Sequence, residues 1–375
     1  MESRFARVLL AGTIAVLVGC ATTDDMLHGP GRPPMSASEG RALTARLLPA
    51  GVADRSGWAT DIYAAIAVLE IPPTVENLCA VVAITEQESG FRVDPVVPGL
   101  SSIAWKEIER RRERAGVPKL ALDAALALPS GNGKSYRERL DEVKTEQQLS
   151  GLFEDFIAMV PLGKSFLADL NPVRTGGPMQ VSIAFAEAVA ADGAYPYPVS
   201  GSIRHEVFTR RGGMYFGIAH LLDYPAPYDR PLYRFADFNA GQYASRNAAF
   251  QNAVTQVSGV PLALDGDLLR YERGQPAREP GSTEVATRVL ARRLDLSNED
   301  IRRDLALGKT QGFEQTQLYA RVFGLADRLT GKPAPRAVLP QIPLQSPKIT
   351  RNLTTDWFAN RVEGRYQICL QRVPD

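Results

Sequence analysis

The stretch from Leu78 to Phe91 places the strongest constraint on the fold. Its apolar residues recur at the spacing of one helical face, which predicts an amphipathic helix with a buried stripe. At about 100° per residue, Glu88 lies at the edge of that stripe and Glu86 points roughly 200° away, towards water. Gly90 then ends the helix. The sequence therefore predicts one partly buried carboxyl at a helix C-terminus.

Two physical effects are expected to raise the pKa of the Glu88 carboxyl. Partial burial disfavours the charged form, and the negative end of the helix dipole adds to that effect. A carboxylic acid that is still protonated near neutral pH can donate a proton to a leaving group. The alternative is a solvated carboxyl in the last turn of a helix. Glu88 is therefore a candidate catalytic acid.

The first twenty residues resemble an export signal rather than part of a fold. Arg4 and Arg7 form a basic region, and Val8–Val18 is an apolar run too short to span a membrane as an isolated helix. The run ends in Leu-Val-Gly-Cys, which resembles a bacterial lipobox, whose cysteine (here Cys20) is lipidated and becomes the mature N-terminus. Residues 1–19 are predicted to be a lipoprotein signal peptide, and the alternative is an ordinary signal peptide with a chance cysteine.

The residues that follow Cys20 predict where the protein is anchored. Ala21 rather than Asp follows the cysteine, which resembles lipoproteins sorted to the periplasmic face of the outer membrane. Residues 20–38 are polar and contain Gly and Pro, so they are expected to form a flexible tether. The membrane is one expected partner, reached through the lipid on Cys20. No other stretch approaches the ~18 apolar residues of a membrane span.

Charge and motif content argue against several classes of function. Removing residues 1–19 takes Arg4, Arg7 and Glu2 from the 43 basic and 42 acidic residues, which leaves 41 of each. No basic patch stands out, which argues against nucleic-acid binding. Gly133-Lys134-Ser135 lacks the first glycine of a phosphate-binding loop, and the 3 histidines have no metal-ligand spacing. We therefore expect no metal and no cofactor.

Two cysteines remain besides Cys20. Cys79 lies in the helix that carries Glu88, and Cys369 lies near the C-terminus. An oxidising periplasm permits a disulfide between them, and the alternative is two separate buried thiols. The Cα separation that decides between these alternatives cannot be read from the sequence.

The hydrophobic periodicity predicts a mainly α fold. The expected main domain is residues 39–260, with a helical insertion at about 100–170. Residues 261–330 are expected to form a helical extension, and residues 331–375 an extended C-terminal tail, in which Thr355–Cys369 forms a last helix or strand. The other predicted helices are Arg41–Leu48, Trp58–Leu69, Thr74–Ser89, Ile103–Arg112, Leu120–Leu128, Tyr136–Val143, Gln147–Met159, Ile183–Ala190, Leu262–Tyr271, Thr283–Leu294 and Thr310–Leu329.

Three further stretches combine glycine with polar or aromatic residues. Gly176–Ser182 has Gly-Gly-Pro before a helix, which brings the backbone close to whatever lies opposite. Gln180, within it, offers both a donor and an acceptor to hydroxyl and acetamido groups. Arg210–Leu222 is a helix with small residues on one face, and Tyr233–Tyr243 contains Asn-Ala-Gly, a sharp helix end. Taken singly, each also fits an ordinary loop or a closely packed helix pair.

Together with the helix that carries Glu88, these stretches resemble the lytic transglycosylases of the lysozyme-like superfamily. That family has, in order, Glu-Ser-Gly-Phe, Gly-Leu-Met-Gln-Val, a Gly-rich helix ending in Tyr-Leu, and Ala-Tyr-Asn-Ala-Gly. This chain has Glu88–Phe91, Gly177–Val181, Gly212–Phe216 and Asp237–Gly241. The resemblance covers roughly residues 74–92 and 175–256, and it implies a lysozyme-like helical catalytic core.

The resemblance also implies a reaction and a set of site residues. Glu88 would be the single catalytic acid and base, and the substrate would be the MurNAc–GlcNAc backbone of peptidoglycan glycan strands. No carboxylate nucleophile or attacking water is needed, because the MurNAc 6-hydroxyl attacks within the same sugar and gives a 1,6-anhydro end. The substrate-binding residues that it implies are Ser89, Met179, Gln180, Tyr215, Phe238 and Asn239.

The chain departs from the family pattern in three places. Met179 follows Glu88 by 91 residues, far more than in the family, which is why an insertion is expected near residues 100–170. That insertion could narrow substrate access, bind a partner protein or cover the site. Phe238 replaces the usual Tyr before Asn-Ala-Gly and so removes a hydroxyl, and Pro178 deletes a backbone N–H.

Two other functions remain open from the sequence. A lysozyme-like hydrolase would use Glu88 with water, and its second carboxylate would be Asp94 or Asp237. A catalytically silent glycan-binding or scaffolding lipoprotein would keep Glu88 as a structural carboxyl. The products distinguish the two enzymes, because a transglycosylase leaves anhydro ends and a hydrolase leaves reducing ends.

Overall fold

A computed structural model describes residues 35–159, 170–193, 195–272, 274–344 and 352–373 of the chain. Within these ranges the protein is mainly α-helical, which confirms the predicted fold class. The predicted signal peptide, the lipidation site Cys20 and most of the tether lie outside the described residues. The first helix begins at Ala37, inside the last two residues of the predicted tether.

The first part of the chain is helical on both sides of one short hairpin. Its first helices are α1 (Ala37–Leu47), α2 (Arg55–Val68), α3 (Val75–Glu88), α4 (Leu100–Ala115), α5 (Lys119–Leu126), α6 (Tyr136–Glu142) and α7 (Glu146–Ala158). The hairpin pairs β1 (Thr175–Gly176) with β2 (Val181–Ser182) in antiparallel register. It is followed by α8 (Ile183–Ala191), α9 (Ile203–Val207), α10 (Arg210–Leu222) and α11 (Pro231–Ala240).

The remaining elements begin with α12 (Ala244–Ser258) and a second antiparallel pair, β3 (Tyr271–Glu272) with β4 (Gln275–Pro276). They continue with α13 (Ser282–Val289), α14 (Ala291–Leu294), α15 (Asn298–Leu305), two 3₁₀ turns (Ala306–Lys309 and Gln311–Gln315), α16 (Gln317–Thr330) and α17 (Thr355–Leu370). No helix of the described residues is both long enough and apolar enough to cross a membrane.

A first hydrophobic core holds the helices from α1 to α11 together. Helix α3 lies in it with every residue from Leu78 to Thr85 buried. Its start is defined locally, because the Thr74 side chain accepts a hydrogen bond from the Asn77 N–H and so caps the first turn. The fully buried helix leaves only its last turn, with Glu88, near the surface.

The insertion contributes to this same core. Helices α4 to α7 confirm the predicted helices of residues 100–159, with ends shifted by a few residues. Leu100 and Ala104 of α4 and Tyr136 and Leu140 of α6 are buried in the first core. The insertion is therefore packed into the domain.

A second core begins earlier than the predicted boundary at residue 260. Helix α12 packs against α13 and α16, so it belongs with the C-terminal helices. The predicted helix Leu262–Tyr271 is wrong, since the segment is irregular before β3. Gln251 of α12 explains this, because its side chain accepts from the Gly266 N–H at 2.9 Å and donates to the Asp265 carboxyl at 2.6 Å. These bonds hold the segment in an irregular loop against α12.

The long helix predicted over Thr310–Leu329 is also interrupted. Residues Gln311–Gln315 form a 3₁₀ turn, and α16 starts only at Gln317. Thr316 explains the break, because its side chain accepts a hydrogen bond from the Tyr319 N–H and caps a new helix.

The domain prediction described residues 331–375 as an extended tail. The structure shows instead that part of this tail is helical. Helix α17 has 16 residues and packs against α3 and α11 in the first core. Its buried face, with Phe358, Val362 and Tyr366, explains the difference, because these residues recur at helical spacing. The chain thus returns to the first core after leaving it for the second.

The structure joins Cys79 of α3 to Cys369 of α17 in a disulfide, with a Cα–Cα separation of 5.5 Å. Both cysteines are fully buried. The bridge attaches the C-terminal helix to the helix that ends at Glu88, across a sequence separation of 290 residues.

Candidate active site

Helix α10 is the element against which the motif residues assemble. Its glycines let the hairpin approach closely, because an added Cβ at Gly217 would lie 2.6 Å from Met179 Cβ, and one at Gly213 would lie 3.1 Å from Pro178 Cγ. Such distances are impossible or very tight for real side chains. The Gly-Pro-Met-Gln segment therefore lies directly on the glycine face of α10.

Substituting Gly217 tests this contact. We expect Gly217→Ala to lower the free energy of unfolding by about 1–3 kcal/mol, because the new methyl group overpacks against Met179. Gly151→Ala in α7 is the matched control, since a Cβ there meets nothing within 4 Å. The control should be neutral or stabilising by about 0.5–1 kcal/mol. Urea unfolding of both variants measures the difference, and equal effects would contradict the close approach.

Helix α10 also contacts the helix that carries Glu88. Met214 Sδ lies 3.9 Å from Thr85 Oγ1 of α3, and both side chains are fully buried. Glu88 follows Thr85 by three residues and so lies on the same side of α3, at its last residue. Its carboxyl is half-buried, as the helical angle predicted, whereas Glu86 is half-buried rather than directed fully to water.

The chain turns sharply after Glu88. Ser89 is buried, and its hydroxyl donates to the Thr85 carbonyl at 3.2 Å. Gly90 and Phe91 follow with φ of 58° and 60°, in the left-handed region. The Phe91 ring is buried against Trp58 at a centroid distance of 5.2 Å. This packing offsets the strain at Phe91 and holds the turn that leaves the Glu88 carboxyl at the end of the helix.

A histidine links α10 to the Asp-Phe-Asn-Ala-Gly segment of α11. His220 Nε2 lies 3.2 Å from the Phe238 carbonyl oxygen, so this nitrogen carries the proton and donates. The imidazole lies between the rings of Phe185 and Phe238, at centroid distances of 4.7 and 5.1 Å. Burial lowers the pKa of His220, because the apolar surroundings disfavour its charged form.

The lowered pKa of His220 predicts a loss of stability in acid. A group whose folded pKa lies below its unfolded value near 6.5 contributes stability above pH 6.5, and that stability is lost as the pH falls towards the folded pKa. We expect the urea midpoint to fall between pH 7 and pH 5, and His220→Asn to flatten this dependence. His205→Gln is the control, because His205 is exposed and its side chain contacts Glu154 at the surface. An unchanged pH dependence in His220→Asn would contradict the assignment.

Positive φ angles occur at three of the motif segments and also at other positions in the chain. Six non-glycine residues of the described ranges have positive φ, and three of them are Phe91, Gln180 and Tyr243. Phe91 ends the first motif, Gln180 lies in the second, and Tyr243 follows the last. A side chain in this region costs of order 1–3 kcal/mol and tends to persist at functional sites. The other three, Asp54, Glu70 and Asp295, lie outside the motif segments, so positive φ by itself does not identify the site.

The predicted substrate-binding residues fall into two groups. Ser89, Met179 and Tyr215 are buried, so in this structure they pack the site and offer no surface to a ligand. This corrects the expectation that all six residues contact substrate, and the reason is the close packing of the hairpin and α10. Gln180 and Phe238 are half-buried and Asn239 is exposed, so these three remain available.

Two contacts orient the polar residues that remain available. Gln180 donates from Nε2 to the Gly177 carbonyl at 3.2 Å and accepts from Thr175 Oγ1 at 3.4 Å. The Asn239 amide oxygen accepts from Thr355 Oγ1 of α17 at 3.1 Å. Sequence reasoning missed Thr175, Thr355 and His220. Only Thr175 carried a local signal, as it lies directly before the Gly-Gly-Pro run.

Asp237, one of the two carboxylates considered for a hydrolase, has a structural role. It is fully buried and accepts hydrogen bonds from the hydroxyls of Tyr224 and Tyr228 and from the N–H groups of Tyr243 and Ser245, at 2.6–3.0 Å. Burial raises the pKa of Asp237, and its hydrogen-bond donors oppose that shift by stabilising the ionised form. With four donors already bound, this carboxylate cannot act on a sugar.

The described residues contain no group of three or more His, Cys, Asp or Glu side chains that could hold a metal ion. Glu88, Gln180 and Asn239 are the predicted polar site residues that are not fully buried.

Comparison with known proteins identifies a relative along nearly the whole chain. The chain is 53% identical over 359 residues to a protein of Escherichia coli (strain K12) named "Uncharacterized protein YaiW", and the match covers 96% of each sequence. No solved structure matches. Residues 51–372 match the family described as "Protein of unknown function (DUF1615)". The chain therefore belongs to the DUF1615 family.

Proposed function

We propose that this protein is a peptidoglycan lytic transglycosylase with a lysozyme-like core and Glu88 as its single acid and base. One observation carries the proposal. Helix α10 contacts the helix that ends in Glu88, the hairpin with Gln180 and the end of α11 before Asn239. These are the segments whose sequences resemble the transglycosylase motifs.

The proposed reaction uses the Glu88 carboxyl twice. It first donates its proton to the glycosidic oxygen, so that the bond to MurNAc C1 breaks and GlcNAc leaves with a free hydroxyl. Positive charge develops at C1, and the 6-hydroxyl of the same MurNAc bonds to it while the Glu88 carboxylate takes the hydroxyl proton. Glu88 is then protonated again, and the product has a 1,6-anhydro ring. Attack within one sugar gains the advantage of proximity.

The environment of Asp237 favours this route over hydrolysis. A typical glycosidase needs a second carboxylate beside the acid. Asp237 is occupied by four hydrogen-bond donors, which leaves the half-buried Asp94 as the other carboxylate considered. The non-enzymatic alternative, a glycan-binding scaffold, is favoured by Phe238, which lacks the hydroxyl of the family tyrosine.

Product analysis tests the proposal against both alternatives. The mature protein is incubated with purified peptidoglycan sacculi, and the released fragments are identified by mass spectrometry. Fragments with 1,6-anhydroMurNAc ends are the expected result. Fragments with reducing ends would establish a hydrolase, and sacculus binding without any release would support the glycan-binding scaffold.

We further propose that lipid on Cys20 anchors the protein to the periplasmic face of the outer membrane. The sequence pattern of residues 1–21 supports this, although these residues lie outside the described ranges. The disulfide between Cys79 and Cys369 fits the same location, because disulfides persist in the oxidising periplasm. Such an anchor would hold the active site against the peptidoglycan layer.

A further inference from the structure

A groove runs along the inserted helix α4 towards the candidate active site. It has a volume of about 760 Å³ and lies between α4, α7 and the segment that precedes β1. Its apolar lining includes Leu100, Ala104, Leu149 and Val173. The groove has no counterpart among the sequence motifs, because the residues that form it are far apart in the chain.

The groove is continuous with the hairpin of the candidate site. Thr175 is part of the groove lining, and its hydroxyl donates to the Gln180 side chain at 3.4 Å. A ligand that contacted Gln180 would therefore lie next to Thr175, where the groove begins. The other end lies near Arg111, eleven residues along α4 from Leu100, which is about 16 Å at 1.5 Å per residue.

The outer rim of the groove carries excess positive charge. The Glu107 carboxylate is shared by two guanidinium groups, Arg110 and Arg111, at 2.6 Å each. The exposed Lys106 lies on the same rim. The whole lining has more cationic side chains than carboxylates: the carboxylates are Glu107 and Glu146, and the cations are Lys106, Arg110, Arg111 and Arg174. Arginine side chains bind carboxylates through paired hydrogen bonds, so this rim suits an anionic ligand. The groove thus combines an apolar floor with a net positive charge, which includes Arg110 and Arg111 at its far end.

We propose that this groove binds the acidic peptide stem of the MurNAc residue that is held at the Gln180 end. The inference rests on the proposed function and names the part of the substrate that the insertion recognises. A stem of roughly four to five residues spans about 13–17 Å when extended, which matches the length of the groove along α4. Its alanine methyl groups fit the apolar floor, and its free carboxylates reach Arg110 and Lys106.

A charge reversal at Arg110 tests the groove, with Arg114 as the matched control. Both are arginines of α4, and only Arg110 lines the groove. Arg111 is left unchanged, because it also donates to the Leu170 carbonyl. We expect Arg110→Glu to raise the KM for peptide-bearing sacculi about three- to tenfold and to leave the turnover of peptide-free glycan strands unchanged. Arg114→Glu should change neither.

Direct binding separates this inference from the proposed function. Isothermal titration of the synthetic stem peptide N-acetyl-L-alanyl-γ-D-glutamyl-meso-diaminopimelyl-D-alanine needs no catalysis. We expect the wild type and Arg114→Glu to bind it, and Arg110→Glu to bind about three- to tenfold more weakly. Absence of binding to the wild type, or equal binding by all three proteins, would overturn the groove assignment even if glycan strands are cleaved. Peptide binding without cleavage of any substrate would instead keep the groove and contradict the transglycosylase.

Discussion

Glu88→Gln is expected to lower the rate of anhydro-end formation from sacculi by about 10²–10⁴-fold, the usual contribution of a general acid or base. The amide keeps the size and half-buried position of the side chain but cannot give or take the proton. Mass spectrometry of the fragments released by wild type and variant over time measures the loss. The fold should be retained, because Glu88 lies at the end of α3 and outside its buried stretch.

Glu86→Gln is the matched control for this experiment. Glu86 lies on the same last turn of α3, is also half-buried, and carries the same charge. The Glu86→Gln variant should retain nearly full activity, because Glu86 does not lie on the face of α3 that Thr85 presents to α10. Equal rates for wild type and Glu88→Gln would rule out Glu88 as the acid. A loss of equal size in both variants would indicate a general effect of charge near the site.

Removal of the disulfide is expected to have the largest effect on stability. Cys79→Ala with Cys369→Ala should lower the free energy of unfolding by about 3–5 kcal/mol, because the bridge closes a very long loop and restricts the unfolded chain. The sequence separation of 290 residues is long, so we expect a value in the upper part of that energy range. Urea unfolding under oxidising conditions measures the difference.

A reductant provides the control for the disulfide. Dithiothreitol should lower the stability of the wild type to near that of the double variant and leave the variant itself unchanged. A difference below about 1 kcal/mol would show that the packing of α17 against α3 and α11 is sufficient to hold the C-terminal helix. Because α17 also supplies Thr355 to Asn239, sacculus binding should weaken when the bridge is lost.

The elements that could be predicted from sequence are those with a strong local pattern. Helix α3 was predicted within one residue at each end, since its apolar spacing and the stop at Gly90 agree. The capping box that starts α15, formed by Ser297 and Asp300, is a local pattern of the same kind. Local patterns failed at Leu262–Tyr271, where the side chain of Gln251, from another element, decides the backbone path.

The exposure of the predicted site residues could not be read from the sequence. Glu88, Gln180 and Asn239 lie at positions where a substrate could contact them, whereas Met179 and Tyr215 are fully buried. Exposure depends on how closely two elements approach. Here the glycines of α10 remove side chains on one surface and let the hairpin side chains fill the space.

The sequence by itself determined the helical class, the partly buried carboxyl at the end of α3 and the order of the motif segments, because these depend on spacing within one element. Only the tertiary structure decided that Cys79 is bonded to Cys369, that Asp237 accepts four hydrogen bonds, and that α10 contacts the motif segments. Those features join residues far apart in the chain. Their free energies depend on distances and burial that no local pattern encodes.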